Sequence, residues 1–144
     1  HRLRRRVGAP GMKVLQFAFD SREESDYLPH NYDANCVVYT GTHDNDTMAG
    51  WMRTAPRADV RFSKRYLNIR RGMEPSWEYI RAAYGSVASL AVVPLQDFLG
   101  YGSEARINTP STLGQNWRWR LSPGVLSEAL AERIRSFAAL YGRA

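Results

Sequence analysis

Three short apolar runs stand out along the chain: Met12 to Phe19, Cys36 to Gly41 and Leu90 to Leu95. The second and third are near-continuous rather than alternating, as strands covered on both faces tend to be. Pro94 cannot donate to a ladder, so it marks the end of the third strand or a bulge. Between the second and third runs the spacing turns helical. Arg57 to Arg70 carries apolar positions at Val60, Tyr66, Leu67 and Ile69. Pro75 to Val87 carries Trp77, Ile80 and Tyr84 at three- and four-residue steps, as a helix packing on a sheet requires. Near the end, Leu126, Leu130, Ile134, Phe137 and Tyr141 form one stripe, with Ser127 placed to cap it.

Strand, helices, strand and more helix predict a parallel α/β arrangement. Three strands alone would leave two exposed apolar edges, which is an aggregation hazard. The pattern therefore reads as part of a larger sheet or barrel. No internal repeat and no low-complexity linker interrupts it, so residues 1–144 are taken as a single segment.

Composition agrees with a packed fold. The chain has 144 residues, 44% hydrophobic and 12% aromatic, enough for one ordinary domain. The formal net charge of +6 raises the question of nucleic acid. That reading needs a basic patch or stripe, and the only cluster is Arg2 to Arg6. The other arginines are spread over predicted helices and read as solvated faces, so no nucleic-acid partner is expected. No apolar run approaches a membrane span. No signal-type stretch follows the basic start, so a cytoplasmic home is expected. The chain opens on His1, which fits trimming or a piece of something longer. The single Cys36 excludes an internal disulfide and reads as a buried, inert thiol. No ligand set has metal spacing, and no cofactor is expected.

In parallel α/β folds, functional groups collect at the C-terminal ends of strands. The first run leads to Asp20, the second to Thr42-His43-Asp44-Asn45-Asp46-Thr47, the third to Gln96-Asp97 and then Gly100 to Glu104. The second cluster is the densest. Its residues are costly to bury and gain nothing from packing. Two readings stay open and are compatible: Asp44 or Asp46 caps a helix running through Thr47 to Met52, or the cluster binds ligand. Glycosyl transfer suits it, because carboxylates stabilise an oxocarbenium-like centre. Glu104 and Arg106 read as an ion pair, and Asn108 before Thr-Pro as a turn residue. Asn116 to Leu121 alternates Trp and Arg with the period of a strand, placing Trp117 and Trp119 on one face, packed in a core or stacked on sugar.

Taken in order, several strings resemble the amylomaltase or disproportionating-enzyme family of 4-α-glucanotransferases. They are Pro10 to Phe19, Tyr27 to Tyr32, Val38 to Thr47, Pro94 to Asp97, Gly102 to Asn108 and Asn116 to Arg120. The resemblance implies a (β/α)₈ TIM barrel, with this chain as its C-terminal part and its strands as about the last three. It implies transfer of α-1,4-glucan segments between maltooligosaccharides, or to glucose, with retention through a covalent glycosyl-enzyme. The nucleophile and the acid/base would then lie upstream, in the N-terminal part of the barrel. Asp44 would match the third carboxylate, which stabilises the transition state, and His43 its sugar-binding neighbour. Asn108 would contact substrate, and Tyr27 to Tyr32, with Asn31, would line the acceptor side. The alternative is a non-catalytic module that binds glucan or completes a barrel.

Overall fold

The computed structural model describes residues 2–143, apart from the side chains of Arg2, Leu3 and Arg5. His1 and, within the Arg2 to Arg6 cluster, the side chains of Arg2 and Arg5 thus lie outside the described residues. A short helix α1 (Arg2–Val7) leads into strand β1 (Gly11–Val14). Strand β2 (Cys36–Tyr39) follows, then helices α2 (Met48–Thr54), α3 (Arg57–Tyr66) and α4 (Pro75–Tyr84). Strand β3 (Leu90–Val92), the short helix α5 (Leu95–Phe98) and helix α6 (Glu128–Leu140) complete the order.

The three strands form one sheet in the order β1-β2-β3. Both pairings are parallel, with Met12 opposite Val37 and Val37 opposite Leu90. The expected parallel α/β arrangement is therefore present.

The first strand is shorter than its apolar run. It stops at Val14, and Leu15–Phe17 turn into a 3₁₀ helix. Leu15, Ala18 and Phe19 remain buried all the same. An apolar run reports burial, and burial does not distinguish an extended segment from a turn. The third strand ends at Val92, and Pro94 serves as the N-cap of α5, outside the ladder.

Phe19 is the hub of the core. Its ring lies 5.7 to 6.1 Å from those of Trp51, Phe62, Tyr66 and Tyr79, mostly edge to face. Burying such a side chain stabilises the fold by roughly 1.5–3 kcal/mol. Val38, Cys36 and Ala83 belong to the same cluster. Cys36 is buried and free, and burial pushes its thiol up from the ordinary range.

The helices cover one face of this sheet. The expectation of cover on both faces is not met at β3, where Leu90 is 53% and Val92 38% exposed, and on β1 Met12 is 58% exposed. The described residues supply no layer for that side. Helix α6 begins as expected, with Ser127 Oγ accepting from Leu130 N–H at 3.1 Å. It docks through Phe137 on Trp77, and the Arg133 guanidinium lies 3.7 Å over the Trp77 ring. Leu126 precedes the helix and is exposed.

Candidate active site

The loop after β2 folds on itself. Asn45 Oδ1 accepts from Thr42 N–H at 2.8 Å and from Thr42 Oγ1 at 2.7 Å, and Asn45 N–H donates to Thr42 carbonyl at 3.1 Å. The backbone turn over residues 42–45 is thus closed a second time by the Asn45 side chain, a use of Asn common in turns. It presents His43 and Asp44 at its tip, with side chains 57% and 50% exposed.

Neither aspartate caps α2. Thr47 does, its Oγ1 accepting from Gly50 N–H at 3.0 Å. The cap reads by position: Thr47 immediately precedes the helix, so its oxygen reaches the third helical N–H. Asp46 is one residue too early. Its Oδ1 takes the Thr47 N–H and its Oδ2 accepts from Ser103 Oγ at 2.7 Å.

Asp44 is thereby left for other work. Asn108 Nδ2 donates to Asp44 Oδ1 at 2.6 Å, and His43 Nε2 lies 3.4 Å from the same oxygen. Asp44 Oδ2 has no hydrogen-bond partner among the described residues. The structure thus brings together His43, Asp44 and Asn108, three of the four expected site residues. Asn31 is elsewhere. It donates to Ser25 carbonyl at 3.2 Å and lines a cavity of about 410 Å³ beside Gly11, Met12 and Lys13 of β1. Asp20 is held by Arg22 at 2.6 Å, away from this cluster, and the guanidinium draws its carboxyl down to about 2.

Two expectations about neighbouring residues are corrected. Glu104 does not pair with Arg106 but with Arg53, at 3.4 Å. Backbone N–H groups, its own and that of Gly102, with Arg53 alongside, hold the Glu104 carboxyl below the usual range. Arg106 instead donates Nη2 to Asp44 carbonyl at 2.7 Å and Nε to Asn108 carbonyl at 2.8 Å. One guanidinium therefore joins the backbones of the two residues whose side chains meet. The second correction concerns Asn116 to Leu121, which forms no strand. Trp117 has φ +65°. It is 57% exposed, and its ring lies 5.2 Å from that of His43.

A cavity of about 500 Å³ opens at this end of the sheet. Met12, Tyr39 and Val92 form its apolar floor, while His43, Asp46 and Arg106 stand at its polar rim. Apolar walls with a few convergent polar groups are the usual make-up of a ligand site.

A family model described as 4-alpha-glucanotransferase matches residues 1–127. The chain belongs to this family. It is 52% identical over 143 residues to the 4-alpha-glucanotransferase of Thermus thermophilus, covering 94% of this chain and 29% of that protein. It is 46% identical over 144 residues to the chloroplastic/amyloplastic 4-alpha-glucanotransferase of Arabidopsis thaliana, covering 98% of this chain and 25% of the relative. Among solved structures it is similar to an amylomaltase from Streptococcus agalactiae in complex with acarbose. The TM-score is 0.93 at 31% identity, over 99% of this chain and 29% of that one. The chain thus spans between a quarter and a third of the length of these relatives.

Within this member of the family, Arg106 and Trp117 are the neighbours of the His43–Asp44–Asn108 cluster whose partners the sequence did not reveal. Arg106 sat in a recognised string, but its neighbour Glu104 offered a nearer-looking partner. Trp117 sat in a pattern with strand period, and nothing in that pattern signals a left-handed backbone.

Proposed function

We propose that this chain is the C-terminal part of a 4-alpha-glucanotransferase, supplying about the last three strands of a (β/α)₈ barrel. Three features support the placement. The strands are parallel and adjacent in chain order. The uncovered face is apolar, as the inside of a closed barrel is. The polar cluster sits at the C-terminal end of β2, where barrel enzymes keep their chemistry.

The observation that carries the functional reading is the state of Asp44. One carboxylate oxygen is fixed by Asn108, the other has no hydrogen-bond partner among the described residues, and the side chain is half exposed. A carboxylate accepts hydrogen bonds through both oxygens, and Asn108 occupies only one of them. It is well placed to accept hydrogen bonds from sugar hydroxyls and to oppose positive charge. In glucan transfer with retention, a nucleophilic carboxylate attacks the anomeric carbon while an acid protonates the leaving oxygen. The covalent glycosyl-enzyme is then opened by an acceptor hydroxyl, with the acid acting as base. Both transition states carry positive charge on the sugar ring. In this reading Asp44 stabilises that charge, His43 donates to a sugar hydroxyl, and Asn108 fixes Asp44 while contacting substrate. The nucleophile and acid/base belong to the part of the barrel that precedes this chain. Asn31 contacts the acceptor side from a different direction, along the free edge of β1.

The substrates are maltooligosaccharides and glucose, a reading supported by the acarbose complex of the similar amylomaltase. Among the described residues no helix is long and apolar enough to cross a membrane. The proposal covers a cytoplasmic or a plastid home alike, since the Arabidopsis relative is named chloroplastic/amyloplastic.

The test is the product pattern of the full-length protein on maltotriose. Transfer yields glucose together with chains longer than maltotriose, the products keeping the α anomer. Glucose and maltose without longer chains would mean hydrolysis and would refute the proposal. A module that only binds glucan would give no products and a calorimetric signal with maltoheptaose.

A further inference from the structure

The segment that carries Asp44 runs from Thr40 to Met48, and one buried carboxylate holds both its ends. Asp97, on α5 after β3, is 1% exposed. Its Oδ2 accepts the Thr40 hydroxyl at 2.5 Å and its Oδ1 accepts the Met48 N–H at 2.7 Å. Thr40 and Met48 are both 0% exposed. From the opposite side, Gln16 in the turn after β1 donates its amide to Asp46 carbonyl at 2.6 Å. The residue beside Asp97 does the same for the other loop of the site. Gln96, 4% exposed, donates Nε2 to Ala105 carbonyl at 3.2 Å, on the segment leading to Asn108.

Burying a carboxylate is costly, and an apolar side chain of similar size packs without that cost. At Asp97 both oxygens are committed to a single loop. Fixing Asp44 matters because catalysis depends on groups held in place before charge develops, and misplacement by about 1 Å costs about a hundredfold.

We propose that Asp97 is a positioning residue for the transfer reaction: by fastening both ends of segment 40–48 it sets where the Asp44 carboxylate meets the sugar, while Gln96 seats the loop that brings Asn108 to it. The proposal rests on the reading of Asp44 given above. Being buried, Asp97 acts through the loop.

Kinetics of maltotriose disproportionation by the full-length protein test it. Asp97→Ala lowers kcat on the order of ten- to a hundredfold and leaves KM within about twofold. Asp97→Asn recovers most of the loss, because Asn Oδ1 still accepts from Met48 and its amide donates to the Thr40 hydroxyl. In an Asp44→Ala background, Asp97→Ala adds little further loss, as expected for residues acting as one unit. A folded Asp97→Ala protein with kcat within about twofold of wild type would overturn the proposal. So would an Asp97→Ala loss that multiplies in full onto that of Asp44→Ala. Should Asp97→Ala fail to fold, Thr40→Val removes only the Oδ2 bond, and an unchanged kcat there is equally fatal. If Asp44→Ala itself leaves transfer intact, the reading of Asp44 falls and this proposal falls with it. If Asp44→Ala abolishes transfer while Asp97→Ala does not lower it, only the positioning role is lost.

Discussion

Asn108 Nδ2 donates to Asp44 Oδ1 at 2.6 Å across 64 positions of the chain. The bond joins the loops that follow β2 and β3. It also leaves Asp44 Oδ2 as the oxygen without a partner among the described residues. A hydrogen bond to a charged group contributes about 1.5–3 kcal/mol, or about ten- to a hundredfold in rate. Asn108→Ala should therefore lower kcat/KM by that factor. Asn108→Asp should also lose activity at neutral pH, because a second carboxylate would face Asp44. It should recover partly on acidification, as one of the two takes up a proton. A loss below about threefold for Asn108→Ala in maltotriose assays would contradict this role.

Arg106 spans the backbones of the same two residues, reaching Asp44 carbonyl and Asn108 carbonyl with different nitrogens. A lysine has one compact head and cannot hold that fork. Arg106→Lys is expected to lose nearly as much kcat as Arg106→Ala, about tenfold or more. Full activity in the lysine variant would show that charge alone suffices.

Trp117 holds a backbone conformation that bulky residues rarely adopt, with its N–H donating to Ile107 carbonyl at 2.8 Å. Such outliers persist where surrounding structure enforces them. Its ring lies 5.2 Å from that of His43, within the range of an aromatic pair. Aromatic pairs of this kind contribute about 0.5–1.5 kcal/mol. Trp117→Ala should raise KM for maltoheptaose about two- to tenfold, with a smaller change in kcat. An unchanged KM would remove the ring from the account.

Burial pushes the Asp97 carboxyl above the ordinary aspartate range, against the pull of the Met48 N–H and the Thr40 hydroxyl. The folded state then keeps its proton to higher pH than the unfolded chain. The associated stability is full below the unfolded value and is lost as pH rises through the folded value. Asp97→Asn has no such proton to lose. In thermal melts of the full-length protein from about pH 4 to pH 7, the Tm of Asp97→Asn minus that of wild type should grow as pH rises through this window. A constant difference would contradict the shift.

The sequence was legible where physics is local or periodic. The apolar runs marked β2 and β3, the stripe at Trp77, Ile80 and Tyr84 marked α4, and Ser127 marked the cap of α6. The dense polar run after β2 marked the loop whose His43 and Asp44 meet Asn108. What stayed hidden depends on distant partners. Whether Asp46 or Thr47 caps α2 turned on one position and on Ser103, which draws Asp46 away. Arg106 looked toward Glu104 in sequence, yet Arg53 claims Glu104 in space. Leu15, Ala18 and Phe19 are as apolar as strand residues and buried as deeply, and only the backbone bonds reveal a turn. His43, Asp44 and Asn108 stood in the family strings, while the bond that unites the last two needed the fold.

The central claim is that Asp44 stabilises the transition state of glucan transfer. Its most direct measure is kcat for maltotriose disproportionation by the full-length protein carrying Asp44→Asn, which keeps the shape and removes the charge. The account predicts a fall of roughly a hundredfold or more with substrate binding largely retained. A fall of less than about tenfold, near 1.4 kcal/mol, would contradict it.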